Sequence, residues 1–360
     1  MNNNSMQNQT DIMFHSVKEP TYHTSNKVIY TKHNTELRKF NPTNKDSPIV
    51  LIIAPCSGNH SCIIDYDKQK SVVERFINQG FNVYGITWQS ATYDHKDLII
   101  EDYIKATNEA VKIIQLETKI KAKDNKKIHL VGFSQGGWQA VIYASLNPKQ
   151  IKTLTIVSAP VDCYSDAKDD SDMSRAKNMP DWFYDGMVAS SCGLVDGKFM
   201  LMGYKNMNFF ESYIGKYYKL YKDMFNTKDN DKDIEKYKKF EQYVNYTQKI
   251  SGAFYSEIVN RIFKNNDLVK GNMEFYGSKI DLAKINCPVF ILVGSKDEIV
   301  PKYYSTNIIK YISTHKKDIH VYEDDCSHLG IMMSKRVLDN TWQEVIDKLF
   351  NYHLGRRGEN

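Results

Sequence analysis

The chain has 360 residues, 41% apolar and 25% charged, with a formal net charge of +5, which is ordinary globular usage and excludes global disorder, collagen-like repeats and a coiled coil. The longest apolar run, residues 49–55, is strand-sized and far short of the ~18 residues of a spanning helix, so no transmembrane segment is expected. Only seven of the 48 basic residues are Arg, the fork-shaped donor suited to phosphates and bases, so nucleic acid is not an expected partner.

Residues 1–26 read as a polar, poorly ordered lead. The first ten are rich in Asn and Gln and lack the basic-then-apolar order of a secretory signal, which makes a cytoplasmic location the expectation. Residues 28–30 and 36–40 then bracket a His33-Asn34 turn, the pattern of a β-hairpin. From there strands and helices alternate: strand 49–54, helix 68–78, strand 81–88, helix 98–118, strand 128–133, helix 136–146 and strand 151–159. The rhythm resumes with strand 288–294, helix 303–313, strand 319–322 and helix 342–353. Strand–helix alternation implies an α/β fold with a mostly parallel sheet, whose core is assigned to residues 27–160 and 287–360.

Between the two parts lie 126 residues, 161–286, against ~2–6 in an ordinary αβ connection, so the insertion must carry structure of its own. Residues 181–280 hold 21 of the chain's 44 aromatics, which predicts a packed, helical cap rather than a loose loop. Within it, Tyr217, Tyr218, Leu220, Tyr221, Met224 and Phe225 follow helical spacing, and the stretch 199–225 is expected to face a pocket or an apolar surface. Asp166, Asp169, Asp170 and Asp172 make the entry to the insertion acidic. Six cysteines lie scattered with no Cys-x-x-Cys pair, the usage of reduced thiols.

The sharpest chemical signal is Gly132-Phe133-Ser134-Gln135-Gly136-Gly137, set between a strand pattern and a helix pattern. It has the form of a nucleophile elbow, a tight strand-to-helix turn that lifts a serine hydroxyl from the carboxyl edge of a sheet and admits only small neighbours, here Gly132, Gly136 and Gly137. A serine hydroxyl is a weak nucleophile and requires a base. Of the histidines after Ser134, only His328 falls in a loop just past a predicted strand, the edge where Ser134 must lie; His315, His320 and His353 read as structural. In the chain order Ser, acid, His, the acid is Asp297, after strand 288–294, with Glu298 and Asp162 as rivals. An oxyanion would take one donor from Gln135 and a second from Cys56 or Ser57, in the loop after strand 49–54. His60 reads as a rim residue. No His-Glu-x-x-His, P-loop or dinucleotide-binding motif is present in the sequence, so no metal and no cofactor is expected.

Several segments together resemble the polyhydroxyalkanoate synthase and intracellular polyhydroxybutyrate depolymerase branch of the α/β-hydrolases. They are residues 130–137, Asn147-Pro148-Lys149, Ser158-Ala159-Pro160-Val161-Asp162, residues 266–271, residues 281–285 and 287–289, residues 296–301 and His328-Leu329-Gly330. The resemblance implies an α/β-hydrolase fold and an acyl-transfer enzyme acting on 3-hydroxyacyl units, with a hydrophobic acyl substrate and a polyester granule surface as the expected contacts. It leaves oligomeric state open. The synthases carry cysteine where this chain has Ser134, which shifts weight toward ester hydrolysis; chain-building from a coenzyme A thioester is the alternative, and a non-catalytic binding module on the same scaffold a second. Ser327 stands where the family usually has Gly.

Overall fold

The computed structural model describes residues 18–44, 47–118, 127–164, 171–198 and 231–355. Eight strands form the main sheet: β1 (Lys27–Lys32), β2 (Thr35–Lys39), β3 (Ile49–Ile53), β4 (Asn82–Trp88), β5 (Ile128–Phe133), β6 (Ile151–Val157), β7 (Val289–Gly294) and β8 (Ile319–Asp324). Their order across the sheet is β1-β2-β4-β3-β5-β6-β7-β8. The β1–β2 hairpin pairs antiparallel and joins β4 antiparallel, whereas every pair from β4 to β8 is parallel. This is the α/β-hydrolase fold expected from the sequence.

The reason for parallel pairing is visible in β3, β4 and β5, which are buried at every residue. Strands apolar on both sides need helices on both faces of the sheet. Those helices include α1 (Val72–Asn78), α2 (Ile100–Glu117), α3 (Gln135–Leu146) and α4 (Gln343–His353). They pack as α1 against α4 and α2 against α3. The chain passes from β3 to β4 on one side and then to β5 on the other, so the carboxyl ends of β3 and β5 flank a topological switch point, where α/β sheets place their ligands. Register puts Ile53 beside Gly132, Phe133 beside Val157, and Gly294 beside Asp324, so the loops after these strands open on one edge.

Two expectations are corrected. The helix expected over 68–78 starts only at Val72, because Asp65–Asp67 and Lys70–Ser71 pair as a short ribbon and the Ser71 hydroxyl caps Glu74 N–H at 2.8 Å. Residues 18–26, read as part of a poorly ordered lead, are tied to the core. The Thr24 amide and hydroxyl donate to the two carboxylate oxygens of Asp65 at 2.7 and 2.9 Å, and the Tyr22 ring packs on Phe40 beneath the Arg38 guanidinium.

The insertion contributes helices Asp172–Asn178, Asp181–Ser190, Asp231–Asn245 and Gly252–Glu257 among the described residues, with a π-helical turn at Ile258–Lys264. The aromatic stretch 199–225 and Asp166, Asp169 and Asp170 lie outside the described residues. Among those residues no helix is long and apolar enough to cross a membrane. None of the six cysteines forms a disulfide, and five are buried.

One buried group makes stability depend on pH. His129 of β5 is fully buried; its Nδ1 lies 2.9 Å from the Thr153 hydroxyl, and burial, with His353 and Lys152 nearby, lowers its pKa to about 3. The unfolded chain therefore takes up this proton near pH 6.5 and the folded chain does not, so the stability it brings is complete above pH 6.5 and is lost as pH falls toward 3. By pH 5 the loss amounts to about 2 kcal/mol. Denaturant unfolding at pH 7 and pH 5 should show this loss in the wild type and a smaller one in His129→Gln; equal losses would refute the assignment.

Candidate active site

Ser134 sits at φ 49° and ψ −116°, a left-handed backbone that a side-chain-bearing residue adopts only under external restraint. The restraint is a pair of 2.8 Å hydrogen bonds, from Ser134 N–H to the Val157 carbonyl and from Gly137 N–H to the Ser134 carbonyl. The surrounding glycines are required by close approach. A Cβ on Gly132 would lie 2.4 Å from the Gly136 carbonyl oxygen, one on Gly136 would lie 2.3 Å from the Ile53 carbonyl oxygen, and one on Gly137 would lie 2.2 Å from the Ala159 Cβ. The same contact at Gly136 presses the start of α3 against the end of β3, at Ile53 and Ala54.

The loops after β7 and β8 are zipped together. Gly294 passes so near the Cys326 carbonyl that a Cβ there would sit at 2.3 Å, and Ser295 and Lys296 N–H groups donate to the carbonyls of Asp324 and Cys326 at 2.8 and 3.1 Å. This pairing sets Asp297 against His328. The Asp297 side chain is 1% exposed; its Oδ1 accepts from the Ile299 and Val300 N–H groups at 3.0 and 2.9 Å, and its Oδ2 lies 2.7 Å from His328 Nδ1. With a carboxylate facing it, Nδ1 carries the proton, leaving Nε2 as the acceptor toward the Ser134 hydroxyl at 3.1 Å. Ser327, at the position where glycine was usual, keeps the loop in shape: its hydroxyl caps Gly330 N–H at 3.3 Å and its carbonyl accepts from Ile331.

Other candidates fall elsewhere. Asp162 is buried but committed to Asn266, Tyr311 and the Tyr164 amide. Glu298 is exposed. His315 caps a 3₁₀ turn, His320 bonds Tyr352, and the His353 ring packs beside His129. His60 is 3% exposed rather than at a rim; it caps the turn Ser61–Ile64, and burial, aided by the Arg38 charge, lowers its pKa to about 4. Burial pushes the Cys56 thiol well above its usual range, so it is protonated near neutral pH and poorly suited as a second nucleophile. What this arrangement can do chemically is move a proton from Ser134 to His328 while Asp297 steadies the resulting imidazolium.

Sequence reasoning missed the residues that brace the loop after β3. The Trp88 indole N–H donates to the Ala54 carbonyl at 2.8 Å, and Gln248, buried in the insertion, donates its amide side chain to the Trp88 carbonyl at 3.1 Å. No motif around position 248 signals this role, because the contact exists only once the insertion has folded back.

The solved monoacylglycerol lipase of Paleococcus ferrophilus shares the fold, at 16% identity and a TM-score of 0.51 over 85% of this chain and 96% of that one. In sequence, the chain is 24% identical to a protein named Poly(3-hydroxyalkanoate) polymerase subunit PhaC from Haloferax mediterranei, over 90% of this chain and 63% of that protein. It is 22% identical to the protein of the same name from Haloarcula marismortui, over 90% of this chain and 67% of that one. The chain thus spans about two thirds of the length of these relatives. They bear out the resemblance read from the segments around Ser134, Asp297 and His328. Residues 15–354, which include every strand and loop of this site, match the model of the family described as "Protein of unknown function (DUF3141)", and the chain belongs to that family.

Proposed function

We propose that the protein is an acyl-transfer enzyme of the α/β-hydrolase type that acts on 3-hydroxyacyl esters and most favourably hydrolyses a polyester or its oligomers. The observation that carries this reading is the unbroken line from Asp297 Oδ2 to His328 Nδ1 and from His328 Nε2 to Ser134 Oγ, at 2.7 and 3.1 Å, ending on a serine in an elbow backbone. A binding module has no use for such a line. Ser134 attacks the carbonyl as His328 takes its proton; the oxyanion is held by the Gln135 amide and by that of Cys56 or Ser57; His328 then protonates the leaving alcohol. Water, activated by His328, releases the acid from the acyl-enzyme.

Hydrolysis is favoured because an oxygen nucleophile occupies the position at which the resembling synthases carry cysteine. Residues 161–286 act in this scheme as a cap, and the enzyme meets its insoluble substrate at a granule surface in the cytoplasm. The names of the relatives support a second reading, in which the acyl-enzyme passes to the hydroxyl end of a growing chain. Excluding water from the acyl-enzyme would select that outcome.

Two incubations separate these readings. Purified protein with amorphous polyhydroxybutyrate should release soluble hydroxybutyrate, and with 3-hydroxybutyryl-coenzyme A should form no polymer. Free coenzyme A accompanied by growing polymer would replace the hydrolase reading with the polymerase one.

A further inference from the structure

The loop after β3 is held at three points. At its start, the Ala54 carbonyl accepts from the Trp88 indole at 2.8 Å; at its end, the Ser61 hydroxyl accepts from the Trp88 backbone N–H at 3.0 Å. In the middle, the Gly58 carbonyl accepts from the Gln248 backbone N–H at 2.7 Å. Gln248 then reaches with its side chain to the Trp88 carbonyl, so one residue of the insertion ties the middle of the loop to the strand end that pins both its termini. Gln248 is 3% exposed, and the contact is dense. A Cβ on Gly197 would lie 2.8 Å from the Gly58 carbonyl oxygen and 2.7 Å from that of Gln248, and Asn59 bridges to Thr247. The segment carrying Gln248 is itself anchored: the Ala91 N–H donates to the Lys249 carbonyl at 2.8 Å, and the Ser251 hydroxyl lies 2.8 and 2.7 Å from the carbonyls of Lys96 and Leu98.

We propose that Gln248 is a positioning residue for the oxyanion-hole loop, through which the insertion sets the distance between the loop amide at Cys56 or Ser57 and the amide of Gln135. The proposal rests on the acyl-transfer reading of Ser134. An oxyanion donor acts only from a fixed position, since stabilisation of developing charge depends on dipoles that need not reorganise. The bonds of Trp88 to Ala54 and Ser61 fix the loop's ends but not its middle; the bond from Gln248 N–H to Gly58 does, and the Gln248 side chain, held on the Trp88 carbonyl, keeps that N–H in place. The insertion therefore does more than cover the site: wherever its 247–253 segment moves, the loop follows.

Gln248→Met keeps the volume and removes the side-chain donor to Trp88, leaving the backbone bond to Gly58 without its brace, and Trp88→Phe removes the indole donor at the loop's start. Amide hydrogen exchange across residues 56–60 should rise in both variants while β3 and the elbow keep their protection. On a soluble p-nitrophenyl ester, kcat should fall about tenfold, a part of the ~10²-fold that loss of a whole donor costs, with KM held within about twofold. Unchanged exchange in the loop, or raised exchange with kcat unchanged, would overturn the proposal, as would losses of protection spread over the sheet with kcat and KM moving together. If a fluorophosphonate fails to label Ser134 in the wild type, the acyl-transfer reading falls and this one with it. Labelled Ser134 with an unaltered Gln248→Met overturns the positioning role alone.

Discussion

Ser134→Ala should lower kcat on a short p-nitrophenyl ester by at least ~10⁴-fold and abolish labelling by a fluorophosphonate. The size of the effect follows from the geometry. In the proposed reaction the Ser134 hydroxyl bonds to the acyl carbon, and without it His328 Nε2, 3.1 Å away, is left with no proton to take. What survives is catalysis by the oxyanion donors and by binding alone, a residual that cannot form an acyl-enzyme. The fold should survive unchanged. The elbow is held by backbone bonds at Ser134 N–H and C=O, and these are indifferent to the side chain. A melting temperature close to wild type therefore has to accompany the lost rate. Full activity in this variant would end the nucleophile assignment.

Asp297→Asn should be nearly as damaging, at ~10⁴-fold in kcat, for a different reason. Asn can keep its carbonyl oxygen toward the Ile299 and Val300 amides, which hold Oδ1 in the native loop. Its NH₂ then faces His328 Nδ1, the position now opposite Oδ2 at 2.7 Å. Facing a donor, Nδ1 becomes the acceptor, the ring proton moves to Nε2, and the base can no longer take the proton of Ser134. The negative charge that steadies imidazolium is lost in the same step. Glu298→Gln is the matched control, because Glu298 is adjacent in sequence but exposed, and its rate should stay near wild type. A large loss in Glu298→Gln with little in Asp297→Asn would reverse the assignment of the acid.

Local chemistry made part of this site legible. The glycine pattern around Ser134 is the imprint of steric exclusion, since side chains at 132 and 136 would occupy the space of backbone atoms at Gly136 and Ile53. Exclusion of that kind acts at the residue itself and so is written in the sequence. His328 was found the same way, as the histidine in a loop after an apolar strand, and Asp297 by chain order. The strands were legible because continuous apolar runs such as residues 49–53 can be satisfied only by burial on both faces.

The sequence by itself thus determined the α/β alternation, the elbow with Ser134 and the place of His328, because each depends on neighbours within a few positions or on the period of burial. Tertiary structure alone decided the rest. It chose Asp297 over Asp162 by giving Asp162 to Asn266 and Tyr311, residues distant in the chain, and it buried His60, which an exposed-looking loop had suggested was at a rim. It tied His23 and Thr24 to Asp65 despite the polar composition around them. It also brought Gln248 to Gly58 and Trp88, 190 and 160 positions away, through two hydrogen bonds that no local pattern records. A hydrogen bond between distant segments leaves no periodicity and no fixed spacing, so it becomes visible only when the chain has closed upon itself.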